Sequence, residues 1–183
     1  MPRTHAIPPD QTRRYLEPGP VVLLSTAHRG ERGIMTLGWH MMLGYDLVGT
    51  YIDPGNRSHA LARASRACVI NLPTADLLDT VVRIGNCSSA DADKFAQFGL
   101  SAVDGDAIDA PGIGECHARF ECRLHETRLT AEYPLFVWRV VAAHAAKRPR
   151  WPRTLHYRGN GQFMVSGDAR SRRALFKPGM LDA

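Results

Sequence analysis

Two short stretches of this 183-residue chain hold side chains suited to a ligand. The first is Met35-Thr36-Leu37-Gly38-Trp39-His40. It sets a hydroxyl, a flexible backbone, a large aromatic ring and an imidazole where a flat molecule could lie across a strand end. The second is Pro54-Gly55-Asn56-Arg57-Ser58, a turn that feeds a helix start. A helix N-terminus offers unpaired N–H groups and about half a positive charge, which suits a phosphate. Arg57 and the Ser58 hydroxyl add a cation and a donor. The same residues also fit a hairpin turn with an ordinary Asn or Ser cap. Trp39 equally fits rim packing, and His40 a structural histidine.

Other chemistries find little support. The four cysteines (Cys68, Cys87, Cys116, Cys122) form no CxxC pair, and the histidines show no zinc spacing, so no metal is expected. Cys116 and Cys122 on one strand would stand roughly 20 Å apart, too far for a disulfide. The thiols are read as reduced and the compartment as cytoplasmic. Cys87, in the polar loop Asn86–Ala90, fits either a redox thiol or a space-filler. Neither a leader-type apolar core in the first residues nor an apolar run of about 18 residues is evident, so no membrane is expected. The net charge of +5 favours anionic ligands without naming nucleic acid. Lys147, Arg148, Arg150 and Arg153 around Trp151 fit nucleic acid, nucleotide phosphates or a solvated loop.

The elements that must position these residues are mostly strands. Residues 1–18, with Pro8, Pro9 and Pro18, read as an arm with at most a short helix. Val21–Thr26 is a continuous apolar strand, and His28–Gly33 a hairpin connection. Met35–Tyr51 reads as two strands around Gly44-Tyr45-Asp46. A helix covers Ser58–Arg66, a strand Cys68–Leu72, and a second helix follows Thr74 and stops at Gly85. Asp91–Phe98 reads as a short helix. Glu115–Leu124 alternates apolar and polar residues, which predicts one buried and one wet or interfacial face. Leu135–Ala142 is another strand. Leu155–Tyr157 and Gln162–Val165 flank an Asn-Gly hairpin. Many strands with few inserted helices predict a mainly β fold, a barrel with helical excursions, over residues 19–167. Residues 168–183 form a basic tail. With no GxGxxG after the first strand, a Rossmann fold is disfavoured.

Four pieces of the chain resemble the flavin reductase-like, FMN-binding split-barrel family, near flavoredoxin and the reductase components of two-component monooxygenases. They are GPVVLLST at 19–26, IMTLGWHMM at 34–42, GNCSSADADKF at 85–95, and LFVWRVV with the later RTLHYRGNGQF. The third is the most specific, because Asp93-Lys94-Phe95 sits at a fixed offset from Gly85 and Ser88. The resemblance implies a split β-barrel that binds FMN in a cleft between the subunits of a homodimer. It places Thr36, Gly38 and Trp39, with Met35, Leu37 and His40, along the flavin. Asn56, Arg57 and Ser58 then meet the phosphate, Asn86, Cys87, Ser88 and Lys94 add polar contacts, and Phe163 packs near the ring. It further implies hydride transfer from NADH or NADPH to flavin, with no catalytic side chain because the cofactor carries the chemistry. A monooxygenase or other acceptor protein would be the partner; nucleic acid would not. The alternative is a flavin-binding electron carrier reduced by another protein. Four departures stand out. Gly33 and Gly38 replace Asn and Ser, Ser89 replaces Gly, and Tyr133 falls where many relatives carry a His linked to the nicotinamide side.

Overall fold

Residues 21–24 are apolar without alternation because both faces of their strand are covered. Val22 and Leu24 enter one core cluster, and Val21 and Leu23 a second. In the computed structural model, which describes residues 1–181, this strand is β2 (Val22–His28). It turns at Arg29-Gly30, both at positive φ, into β3 (Glu31–Leu37). Then come β4 (His40–Met42), β5 (Leu47–Tyr51), helix α2 (Arg57–Ser65) and β6 (Ala67–Leu72). Helices α3 (Leu78–Gly85) and α4 (Lys94–Gln97) lead to two short strands, β7 (Ala102–Val103) and β8 (Gly112–Ile113). The long strands β9 (Ala118–Glu126) and β10 (Leu135–Ala146) flank α5 (Arg128–Glu132). The hairpin β11 (Leu155–Gly159) and β12 (Gln162–Val165) follows.

One curled, antiparallel, eight-stranded sheet carries the fold: seven strands run in the order β3-β2-β6-β9-β10-β5-β4, and the eighth, β1 (Thr4–Ile7), pairs with β10. Its outer strands, β3 and β4, are joined only by Gly38-Trp39 and share no ladder, so the barrel is split. The hollow of the curl holds the first cluster, with Phe120, Phe136 and Trp138 fully buried. The Trp138 indole N–H donates to Thr50 Oγ1 at 2.8 Å. The second cluster, with Ile34, Val81, Ile84, Phe95 and Leu155, lies between the outer face of β2 and β3 and the helices.

The structure departs from the sequence expectation in three places. Residues 1–18 are no free arm: β1 (Thr4–Ile7) pairs with Ala143–Ala146 of β10, and Leu16 of α1 (Arg13–Leu16) is core. A four-residue strand before two prolines is too short to show a period. Next, Asp91–Phe98 is helical only over Lys94–Gln97. Finally, the polar face of β9 is wet only toward its end, at Arg123 and His125; its beginning is covered. His117 and Glu121 are buried, and the Glu121 carboxylate accepts N–H bonds from Asp106, Ala107 and Ile108 at 2.9, 2.7 and 3.2 Å. A Cβ at Gly105 would stand 2.5 Å from the Ile108 carbonyl oxygen and 2.9 Å from Glu121 Oε2, so this connection must pass the carboxylate as glycine. The last two residues of the 168–183 tail lie outside the described ones, and residues 168–180 are exposed.

Burial pushes the pKa of His40, His59 and His117 down, and each ring keeps a buried nitrogen with no hydrogen-bond partner among the described residues. A histidine held neutral in the fold contributes fully above its unfolded pKa near 6.5, and the contribution shrinks as pH falls toward the folded value. Unfolding free energy should therefore drop as pH is lowered from 7 to 5, by up to about 1.4 kcal/mol per pH unit for each proton taken up. Urea titrations at each pH check this, and a curve flat from pH 7 to 5 would contradict it.

Candidate functional site

The Asp93-Lys94-Phe95 run acts as a clamp, which explains its fixed offset from Gly85. Asp93 caps α4 by accepting from the Phe95 N–H at 3.0 Å, and it binds the Arg32 guanidinium on β3 with both oxygens. That contact holds its carboxyl below the usual range. Lys94 is buried, and its ammonium donates to the Ile84 carbonyl at 2.8 Å, near the end of α3. Phe95 fills the second cluster with Arg32 stacked 4.7 Å over its ring. Three adjacent residues thus bind α4 to β3, to α3 and to the core. Between them the 86–90 loop is held over the sheet edge.

Two cavities meet at Gly85 and Asn86. The smaller, about 250 Å³, lies between the start of α2 and the 86–90 loop. Met35, Asn56, Arg57, Ser58, Asn86, Cys87, Ser88 and Lys94 all line it. No side chain caps α2, so its first N–H groups remain available to an anion. Arg57 forms a two-point ion pair with Glu31, Nε to Oε1 at 2.6 Å, which raises its own pKa and lowers that of Glu31. Burial lowers the pKa of Lys94, and the neighbouring Cys87 thiol partly opposes this. Cys87 Sγ itself donates to the Arg83 carbonyl at 3.4 Å.

The larger cavity, about 550 Å³, has walls of Val21, Val81, Val82, Tyr157 and Phe163, with Thr36 and Gly38 along one side. Tyr157 and Phe163 face each other across the hairpin, ring centroids 5.0 Å apart. The Thr36 hydroxyl already donates to the Val81 carbonyl at 2.6 Å, so it braces α3 against β3. A Cβ at Gly38 would meet nothing within 4 Å. At Gly33 it would stand 3.0 Å from Leu61 Cδ1 and 3.2 Å from Ser89 Oγ. The Ser89 hydroxyl fills that space, accepting from the Ile34 N–H at 3.2 Å and donating to the Ile34 carbonyl at 3.3 Å. Gly33 and Ser89 thus face each other across one contact.

Four of the expected residues stand apart from both cavities. Leu37 points into the first core cluster. Trp39 is 72% exposed and leans on Tyr51. His40 bonds the Pro20 carbonyl through Nε2 at 2.6 Å, bridging β4 to the chain just before β2. Tyr133 is exposed after α5. Sequence reasoning missed Val81, Val82, Tyr157 and Ser89. The turn Arg158–Gly161 alone would set Tyr157 opposite Gln162; a register shift between Tyr157 and Gly159 sets it opposite Phe163 instead.

The comparisons agree with this architecture. Residues 13–163 match the model of the flavin reductase like domain. The uncharacterised protein YddH of Escherichia coli K12 is 30% identical over 170 residues, 84% of this chain and 90% of that protein. An Archaeoglobus fulgidus protein is 30% identical over 110 residues, so the match spans 62% of that relative's length. Among solved structures, an FMN-binding domain of a flavin reductases-like enzyme from Shewanella baltica OS155 superposes with a TM-score of 0.85 at 26% identity, covering 93% of this chain and 97% of that one. Flavoredoxin of Desulfovibrio vulgaris (Miyazaki F) shares the fold, with a TM-score of 0.77 at 20% identity over 88% and 92% of the two chains. The sheet, the clamp and the matched family model together make this chain a member of the flavin reductase-like family, with its split-barrel fold.

Proposed function

We propose that this protein binds FMN across the joined cavities and accepts a hydride on it from NADH or NADPH, for delivery to a partner such as a monooxygenase. The observation that carries the reading is the change of character along the cavities. The smaller end is cationic and rich in donors; the larger is apolar and walled by two rings. A phosphorylated planar molecule needs that order of surfaces. FMN supplies the hydride-accepting chemistry, so the chain has to hold and orient it. In this reading the α2 N–H groups, Arg57 and Lys94 hold the phosphate, with Asn56, Ser58, Asn86 and Ser88 as polar neighbours. Val81, Val82 and Phe163 exclude water from the ring. The similarity to the Shewanella baltica domain supports the cofactor.

Arg57→Ala should weaken FMN by about tenfold and leave riboflavin, which lacks the phosphate, almost unchanged. Calorimetric titration with both ligands decides it: equal loss for the two removes Arg57 from the phosphate. Anaerobic bleaching of the bound flavin by NADH or NADPH tests the donor. An absence of bleaching favours the second reading, an electron carrier reduced by another protein. That reading has its own support, because the larger cavity is lined by no lysine, arginine or histidine, and Tyr133 stands away from it.

A cytoplasmic homodimer completes the proposal, on a different surface from the one the sequence suggested. Strands β9 and β10 are paired on both flanks, and the exposed positions on them, Arg123 and His125, are polar rather than apolar. The exposed apolar residues instead follow the β4 edge and the turn after it: Trp39, Met41, Leu43 and Tyr45. Light scattering of a Trp39→Asp, Met41→Asp variant should show a monomer where the unaltered chain is a dimer. An unaltered chain that runs as a monomer would remove this part of the reading.

A further inference from the structure

A third cavity, about 660 Å³, opens beside α1 on the far side of the β11–β12 hairpin from the proposed cofactor site. Strand alternation makes β11 the common wall: Tyr157 lines the larger cofactor cavity and His156 lines this one. His156 is fixed there, with Nδ1 at 3.1 Å from the Gly19 carbonyl and Nε2 at 3.0 Å from Thr154 Oγ1. Two aromatic rings stand together at the cavity, Tyr15 and Trp151, with centroids 5.5 Å apart and planes tilted by 56°. Arg150 lies 5.3 Å over the Trp151 ring, and Arg14 and Arg153 line the cavity. None of these three arginines has a carboxylate partner among the described residues. Tyr15 feels two of them: burial pushes its phenol pKa up, while Arg150 and Arg14 pull it down. Asp168 is the one carboxylate in the lining.

Unpaired guanidinium groups at the cavity repel one another and attract anions. Adjacent aromatic faces in a mostly apolar hollow favour a flat ring. The hollow, about 660 Å³, is of small-molecule size. We propose that this cavity is a second binding site, separate from the flavin cavities, for a planar aromatic ring that bears an anionic group. An aromatic carboxylate and an adenine nucleotide both present that chemistry.

The test is calorimetric titration of the protein in excess FMN with two probes, salicylate and 5′-AMP, and with inorganic phosphate as the control. At least one probe should bind saturably at one site per chain, and FMN should not displace it. Tighter salicylate identifies an aromatic carboxylate site, and tighter 5′-AMP a nucleotide site. Trp151→Leu, and separately Arg150→Gln with Arg153→Gln, should each weaken that probe by about tenfold while the melting temperature holds. All three side chains are exposed, so folding is not at stake. The proposal is overturned if neither probe saturates at millimolar concentration or if FMN displaces the probe. It is equally overturned if phosphate binds as tightly as 5′-AMP while salicylate does not bind, or if the variants bind like the unaltered chain.

Discussion

Lys94→Met should bind FMN roughly 10- to 100-fold more weakly than the unaltered protein, because a charge-assisted hydrogen bond contributes about 1.5–3 kcal/mol. Riboflavin affinity should stay nearly constant, since the lost charge faces the phosphate end. Stability is expected to hold or rise. The ammonium is buried, it donates to the Ile84 carbonyl beside the Cys87 thiol, and burial already lowers its pKa. Replacing a buried ion by a methionine of similar length removes its desolvation cost, and this often offsets the lost contact. Fluorescence titration with FMN and riboflavin, beside a urea melt, separates the two effects. Unchanged FMN affinity would make Lys94 a structural tie between α4 and α3 and nothing more.

Phe95→Ala should cost about 3–5 kcal/mol of folding free energy, the range for deleting a buried ring and leaving a cavity. Phe95 is 2% exposed and packs in the second cluster between the sheet and the helices. The loss should spread to the site, since α4 carries Lys94 and Asp93, and Asp93 in turn holds Arg32. Phe95→Leu keeps much of the volume and should cost under about 1.5 kcal/mol. Urea midpoints at constant slope report both values. An Ala variant as stable as the Leu variant would mean that the hydrophobic role assigned to this position is wrong.

Much of the fold could be read from local pattern. β2, α2, α3 and the last hairpin declare themselves through apolar runs, stops and turn residues that act over a few positions. The clamp at 93–95 was legible as a motif, although its bonds to Arg32 and Ile84 were not. What escaped depends on distant chain. Glu121 reads as a solvated strand residue until the 105–108 connection folds over it. Residues 4–7 become a strand only because β10 is long enough to pair with β5 along one half and β1 along the other. Within the site, the limit was geometry already implicit in the strand. Successive residues point to opposite faces. Ile34 belongs to the outer cluster and Thr36 to the contact with α3, while Met35 and Leu37 pack toward the inner one. Of the run from 35 to 40, Met35, Thr36 and Gly38 line the joined cavities, while Leu37, Trp39 and His40 line neither.

The split between β3 and β4 also separates tolerance to substitution along the sheet. The strands β2, β6, β9 and β10 are each paired on both flanks and hold both cores, so substitutions there endanger the fold itself. The outer strand β3 is paired on one flank only, although its Ile34 and Leu37 enter the two cores. Gly33, Gly38 and Ser89 all fall along that margin. Side chains added or removed there would change the walls of the cavities while the strands paired on both flanks keep their partners.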